Sequence, residues 1–117
     1  MKKVLITGCS SGFGLVTANH FLERGWKVVA TMRSPKTGLF PKSENLQVLP
    51  LDITKQESID EAVEAAGAID VLVNNAGVGL LSAVEGTSQE KIRHIFETNT
   101  FGPMALIRSV LPGFRER

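Results

Sequence analysis

Four short apolar runs recur along the chain, Val4–Thr7, Trp26–Thr31, Leu46–Leu51 and Ile69–Val73, and a stretch of helical period follows the first, third and fourth. Near-continuous apolar strands must be covered on both faces, and strands separated by helices pair in parallel through right-handed crossovers. Leu15, Ala18 and Leu22 fall on one face of a first helix that stops near Gly25. Thr54-Lys55-Gln56-Glu57 reads as a capping box opening a second helix, whose Ile59, Ala62, Val63 and Ala66 keep amphipathic spacing up to Gly67. Thr87-Ser88-Gln89-Glu90 reads as another, opening a last helix that runs with one interruption to the C-terminus. The segment with Pro35, Gly38 and Pro41 reads as a loop. The fold class is therefore α/β, a doubly wound parallel sheet of about four strands. Pro50 cannot donate to a ladder and so belongs on an edge strand or at a strand end; an edge position for the third strand is expected, as the order 3-2-1-4 requires.

At 117 residues with a net charge of +1, the chain is one domain or part of one, and its charge points to neither nucleic acid nor an anionic membrane. Cys9 is the only cysteine, which excludes an internal disulfide, and a reducing, cytoplasmic setting is expected. His20 and His94 are too far apart for a zinc pattern, so no metal is expected. Val4 to Leu22 carries no formal charge, but its glycines, serines, Asn19 and His20 break the run, so neither a signal peptide nor a membrane span is expected.

The first strand runs into "TGCSSGFG", residues 7–14. Gly8, Gly12 and Gly14 allow a sharp turn, backbone approach to a pyrophosphate, and close packing of helix on sheet. The helix N-terminus beyond offers free N–H groups to phosphate. The fourth strand ends in Asn74-Asn75-Ala76-Gly77, beside that loop, at the crevice where such sheets bind ligands. Asp52 either accepts from an adenine amino group or caps a turn. Cys9 reads as a small buried residue of the turn and His94 as a solvated side chain.

"TGCSSGFG", "LDIT", "NNAG" and Asn99 in "ETNTFG" stand in the order and spacing of the short-chain dehydrogenase/reductase family, which the whole chain resembles. "VVATMR" and "DVLVNNAGVGLLSAVE" look most like the branch containing 17β-hydroxysteroid and retinol dehydrogenases. The resemblance implies a Rossmann-type fold and a small-molecule alcohol or carbonyl substrate. It implies cofactor contacts at Gly8, Ser10, Ser11, Gly12, Phe13, Gly14, Asp52, Ile53, Asn75, Ala76 and Gly77, and a homo-oligomer. Phe13 stands where Ile or Leu is usual in the family. Family chemistry uses an asparagine, a serine, a tyrosine and a lysine; Asn99 matches the first, and this chain contains no tyrosine. The resemblance thus makes residues 1–117 the N-terminal part of one dinucleotide-binding domain, inactive alone. A catalytically inactive dinucleotide-binding or redox-sensing module and a non-functional truncation are the alternatives.

Three further expectations concern particular residues. NAD enzymes of this architecture carry a carboxylate at the end of strand two. Here the segment is Ala30-Thr31-Met32-Arg33-Ser34, and Arg33 can pair with a 2′-phosphate, so NADP is expected over NAD. Extending the face of Ile92, Ile95 and Phe96 turns Asn99 toward the core, and Pro103, lacking an N–H, interrupts the helix there. Strand four should be an unpaired apolar edge, with Leu106, Val110 and Leu111 exposed and association favoured.

Overall fold

A computed structural model describes all of residues 1–117. The elements are β1 (Lys3–Ile6), α1 (Gly12–Glu23), β2 (Lys27–Met32), β3 (Leu46–Pro50), α2 (Gln56–Ala66), β4 (Val71–Val73), a 3₁₀ turn (Val84–Gly86), α3 (Gln89–Phe96), a π-helical turn (Glu97–Phe101) and α4 (Gly102–Glu116). The four strands are parallel in the order β3-β2-β1-β4. Pro50 is the last residue of β3, an edge strand, where its missing N–H costs no ladder bond.

Alternate strand residues point to opposite faces, and each face carries its own core. Leu5 and Val29 pack with Ile59, Ala62 and Ala66 of α2 and with Leu106 and Val110 of α4. Val4, Ile6, Val28 and Ala30 pack with Ala18 of α1, flanked by Trp26, whose ring meets Phe21 edge-on. Burying a side chain such as Leu5 or Ile6 fully stabilises the fold by about 1.5–3 kcal/mol. The Lys3 ammonium donates to the Ala66 carbonyl at 2.7 Å, satisfying an orphan acceptor at the C-terminal end of α2.

Several local expectations need correction. α2 starts at Gln56, and its N-cap, Lys55, makes no side-chain cap bond. The Thr54 hydroxyl instead donates to Asp52 Oδ1 at 2.6 Å, so the first capping box does not form. At α3 the cap is Ser88, one residue later than the motif implied; its hydroxyl accepts from the Lys91 N–H at 3.2 Å, while Thr87 donates to Ala83 O. Leu106 and Val110 are buried rather than exposed, and Leu111 is half-buried, because α4 lies against α2 and the sheet without needing further strands.

The interruption of the last helix is the π-helical turn, in which the Gly102 N–H donates to Glu97 O, five residues back. That winding changes the angular step per residue, so an α-helical period carried through it misplaces Asn99. Thr98 and Gly102 face inward, whereas Asn99 and Phe96 are exposed.

Candidate functional site

The carboxyl ends of all four strands converge on one cleft of about 380 Å³. Its floor is the turn after β1, which is tied down on both sides. The Cys9 N–H donates to Thr31 O at 3.0 Å, and the Thr31 hydroxyl donates to Ile6 O at 2.9 Å, fixing the turn to β2. The Thr7 hydroxyl oxygen accepts from the N–H groups of Asn75 and Ala76, at 3.0 and 2.9 Å, fixing it to the segment after β4. The Asn75 amide nitrogen in turn donates to Thr7 O at 3.1 Å and Gly8 O at 3.2 Å. Asn75 therefore acts on the glycine turn from across the sheet, and Thr7 is a brace that the sequence reading did not single out.

Two glycines are demanded by this packing. Gly8 has φ +71°, and an added Cβ would come within 2.9 Å of Ala76 Cα. At Gly14 a Cβ would lie 2.0 Å from Gly8 O, so the first turn of α1 sits directly on the loop. Gly12 faces open space, with nothing within 4 Å of where its Cβ would stand. The turn is thus sealed behind and open in front at the N-terminus of α1, which fits a phosphate-bearing group.

Gly8, Ser10, Ser11, Phe13, Arg33, Asp52, Ile53, Asn75, Ala76 and Gly77 all line the cleft, and Gly12 and Gly14 do not. Phe13 is 86 % exposed, so its bulk projects outward and leaves the turn unaltered. Asn99 lies outside the lining. Its side-chain oxygen accepts from the Val78 N–H at 2.8 Å and its nitrogen donates to Val78 O at 2.6 Å, a two-way clamp on a residue that does line the cleft. Met32, Leu51, Thr54, Val78, His94 and Thr98 also line it. The first three flank residues already singled out, but only tertiary packing brings His94 and Thr98, one helical turn apart, over the strand ends.

Electrostatics at the rim centre on Asp52. Its Oδ1 accepts from the Thr54 N–H at 3.0 Å and from the Thr54 hydroxyl, so it caps its turn. Partial burial raises its pKa, but both Thr54 hydrogen bonds and the Lys55 and Arg33 charges together outweigh this and hold it below the usual carboxylate value. Cys9 behaves oppositely: burial pushes its thiol up to about 11, with a lowering contribution from the Thr31 backbone, and Sγ donates to Ile6 O at 3.3 Å. A protonated, fully buried thiol is no nucleophile or redox sensor. No grouping of His, Cys, Asp and Glu is suited to a metal, and no helix is long and apolar enough to cross a membrane.

Comparison with known proteins agrees with this geometry. A family profile described as short chain dehydrogenase matches residues 2–117. The chain is 40 % identical to human retinol dehydrogenase 8, over 99 % of this chain and 41 % of that protein. Among solved structures it resembles the 3-ketoacyl-(acyl-carrier-protein) reductase from Brucella melitensis complexed with NADH, with TM-score 0.90, 34 % identity, and coverage of 98 % of this chain and 51 % of that one. It also resembles the NADPH-bound carbonyl reductase from chicken fatty liver, with TM-score 0.86, 29 % identity, and coverage of 96 % and 48 %. The chain thus spans roughly two fifths to one half of the length of these proteins.

Proposed function

The chain belongs to the short-chain dehydrogenase family of oxidoreductases, and from that premise we propose that it is the NADP-binding part of an enzyme that interconverts an alcohol and a carbonyl compound. Residues 1–117 then form the N-terminal part of a single dinucleotide-binding domain. The observation that carries this reading is the cleft itself, where a glycine turn locked by Thr7 and Asn75 opens beside Asp52, Ile53 and Arg33. The α1 N-terminus with Ser10 and Ser11 would hold the pyrophosphate, and Ala76 and Gly77 would flank the path toward the reacting end. The nicotinamide, when bound, supplies hydride transfer.

Cofactor choice rests on the end of β2. Thr31 and Met32 are buried, and Arg33 is the first residue to emerge, exposed on the cleft rim. A guanidinium there can pair with a 2′-phosphate, and the segment Ala30–Ser34 holds no carboxylate to repel it. Proton transfer to the substrate oxygen needs an acid, and the family's tyrosine has no counterpart among these residues. Asn99 would contribute by holding Val78, and with it the cleft wall, in place.

The test is a titration of residues 1–117 with NADPH and NADH, followed by an assay with a panel of carbonyl substrates. NADPH should bind more tightly, Arg33→Asp should reverse the preference, and turnover should not rise above the buffer blank. An unchanged cofactor ratio in Arg33→Asp would sink the NADP assignment. Measurable turnover would show that acid–base groups other than the family's are at work.

A further inference from the structure

The chain has five prolines, and Pro35 alone follows a hydroxyl-bearing residue, Ser34. Ser34 is the second residue beyond β2 and the neighbour of Arg33, which lines the cleft. Residues 33–38 are all exposed, and none belongs to a helix or strand. The span is held at both ends, by β2 on one side and on the other by Leu39 and Phe40, which pack against the core that contains Val28 and Ala30. It is therefore an accessible bridge between two anchors. Proline fixes its own φ, lacks an N–H and keeps the residue before it out of the helical region. Those constraints favour the open backbone that an enzyme needs in order to draw a side chain into its own active site.

Other hydroxyls of the surface loops hold the fold together. Ser43 accepts from the Asn45 N–H and Ser58 from the Asp52 N–H, Thr54 donates to Asp52, Thr87 donates to Ala83 O, and Ser88 caps α3. A group added to any of these would break a turn or a cap. Ser34 has no such tie, so a group added there leaves the fold intact.

Its position gives such a group a consequence. Arg33 and Lys36 flank Ser34, and no carboxylate occurs between Ala30 and Lys42. Consecutive Cα atoms are about 3.8 Å apart, which puts a phosphate on Ser34 roughly within one Debye length, about 8 Å, of the Arg33 guanidinium. A phosphoserine carries about −1.5 to −2 charge at neutral pH and three strong acceptor oxygens. It would pair with Arg33 and repel an incoming 2′-phosphate. A carboxylate at the end of strand two selects against NADP for the same electrostatic reason, so this would be a removable version of that charge.

We propose that Ser34 is a phosphorylation site for a proline-directed serine kinase, and that its phosphate lowers the affinity of the cleft for NADP. This rests on the NADP reading above. In the transfer, the Ser34 Oγ attacks the γ-phosphorus of ATP, the bond to the β-phosphate oxygen breaks, ADP leaves, and the hydroxyl proton passes to the base of the kinase. Hydrolysis of the ester by a phosphatase restores the hydroxyl and with it the affinity.

The experiment treats the unaltered chain, Ser34→Ala and Pro35→Ala with a proline-directed serine kinase and ATP, and maps the product by mass spectrometry. One phosphate should appear on Ser34 of the unaltered chain, none should appear on that position in Ser34→Ala, and Pro35→Ala should be modified far more slowly. The phosphorylated chain should then bind NADPH about tenfold more weakly than the unmodified one, while its NADH affinity stays within about twofold, because NADH brings no 2′-phosphate. Ser34→Asp, with less charge, should shift NADPH binding the same way by less. A Ser34 that the kinase leaves unmodified in the folded chain overturns the proposal, as does equal modification of Pro35→Ala. Equal losses for NADPH and NADH overturn it too, because the phosphate would then be distorting the loop. If the unmodified chain shows no preference for NADPH over NADH, the NADP reading falls and this proposal with it; if it shows the preference and the phosphorylated chain keeps it, only the role of Ser34 falls.

Discussion

The two outer strands of the sheet meet their surroundings differently. β3 ends in Pro50, and Gln47 on it donates to the Ala65 carbonyl of α2 at 3.2 Å. Proline and side-chain ties of this kind blunt a free edge. β4 is only Val71, Leu72 and Val73, all half-buried, with neither proline nor charge. Most of the large apolar side chains left exposed also follow it in the chain, including Leu81, Phe96, Phe101, Met104 and Ile107; Met1, Phe13 and Val16 are the exceptions. One flank is chemically finished as an edge, and the other presents a template for pairing. The lesson is that burial must be judged flank by flank, since α4 secures one face of itself and leaves the next bare.

That contrast is sharpest between neighbouring residues of α4. Leu106 is wholly buried and Ile107 is 40 % exposed. Leu106→Ala should cost about 2–5 kcal/mol, whereas Ile107→Ala should stay within about 0.5 kcal/mol, as read by urea unfolding. Comparable losses would erase the distinction between the two faces of the helix.

Next in size is association. Residues 1–117 should self-associate in a concentration-dependent way through the free β4 edge and the exposed apolar side chains that follow it in the chain, and sedimentation velocity should show it. Phe101→Ser, at a residue 53 % exposed, should weaken that association roughly tenfold, ~1.4 kcal/mol. A chain that stays monomeric from micromolar to millimolar concentration would break the comparison.

The smallest effect belongs to the β3 flank and depends on pH. Because the folded-state pKa of Asp52 is lowered, its ionised form favours the fold. That contribution is fully present above the unfolded carboxylate value, about 3.9, and is lost as pH falls through the lower folded-state value. Asp52→Asn should therefore be slightly less stable than the unaltered chain at neutral pH, with the gap closing in acid. A gap that persists or widens below about pH 3 would mean that the Asp52 charge is not what steadies this turn.

Much of the fold was legible before any coordinates. Short apolar runs alternating with helical stretches point to strands covered on both faces, hence a parallel doubly wound sheet, and Pro50 agrees with β3 lying at its edge. Gly8 and Gly14 were legible for a related reason, since backbone that turns sharply and packs within contact of other backbone admits no Cβ, whatever surrounds it. What the sequence could not decide depends on energies shared between distant segments. Thr54 had two partners within reach, and competition from Asp52 drew its hydroxyl away from the helix N-terminus. Asn99 and Thr98 are adjacent, and only the π-helical turn, set by packing against Ile53 and by the Val78 backbone, decided which amide or hydroxyl faced the strands. A local period extrapolates only while the winding is constant, and the winding here is a property of the assembled fold.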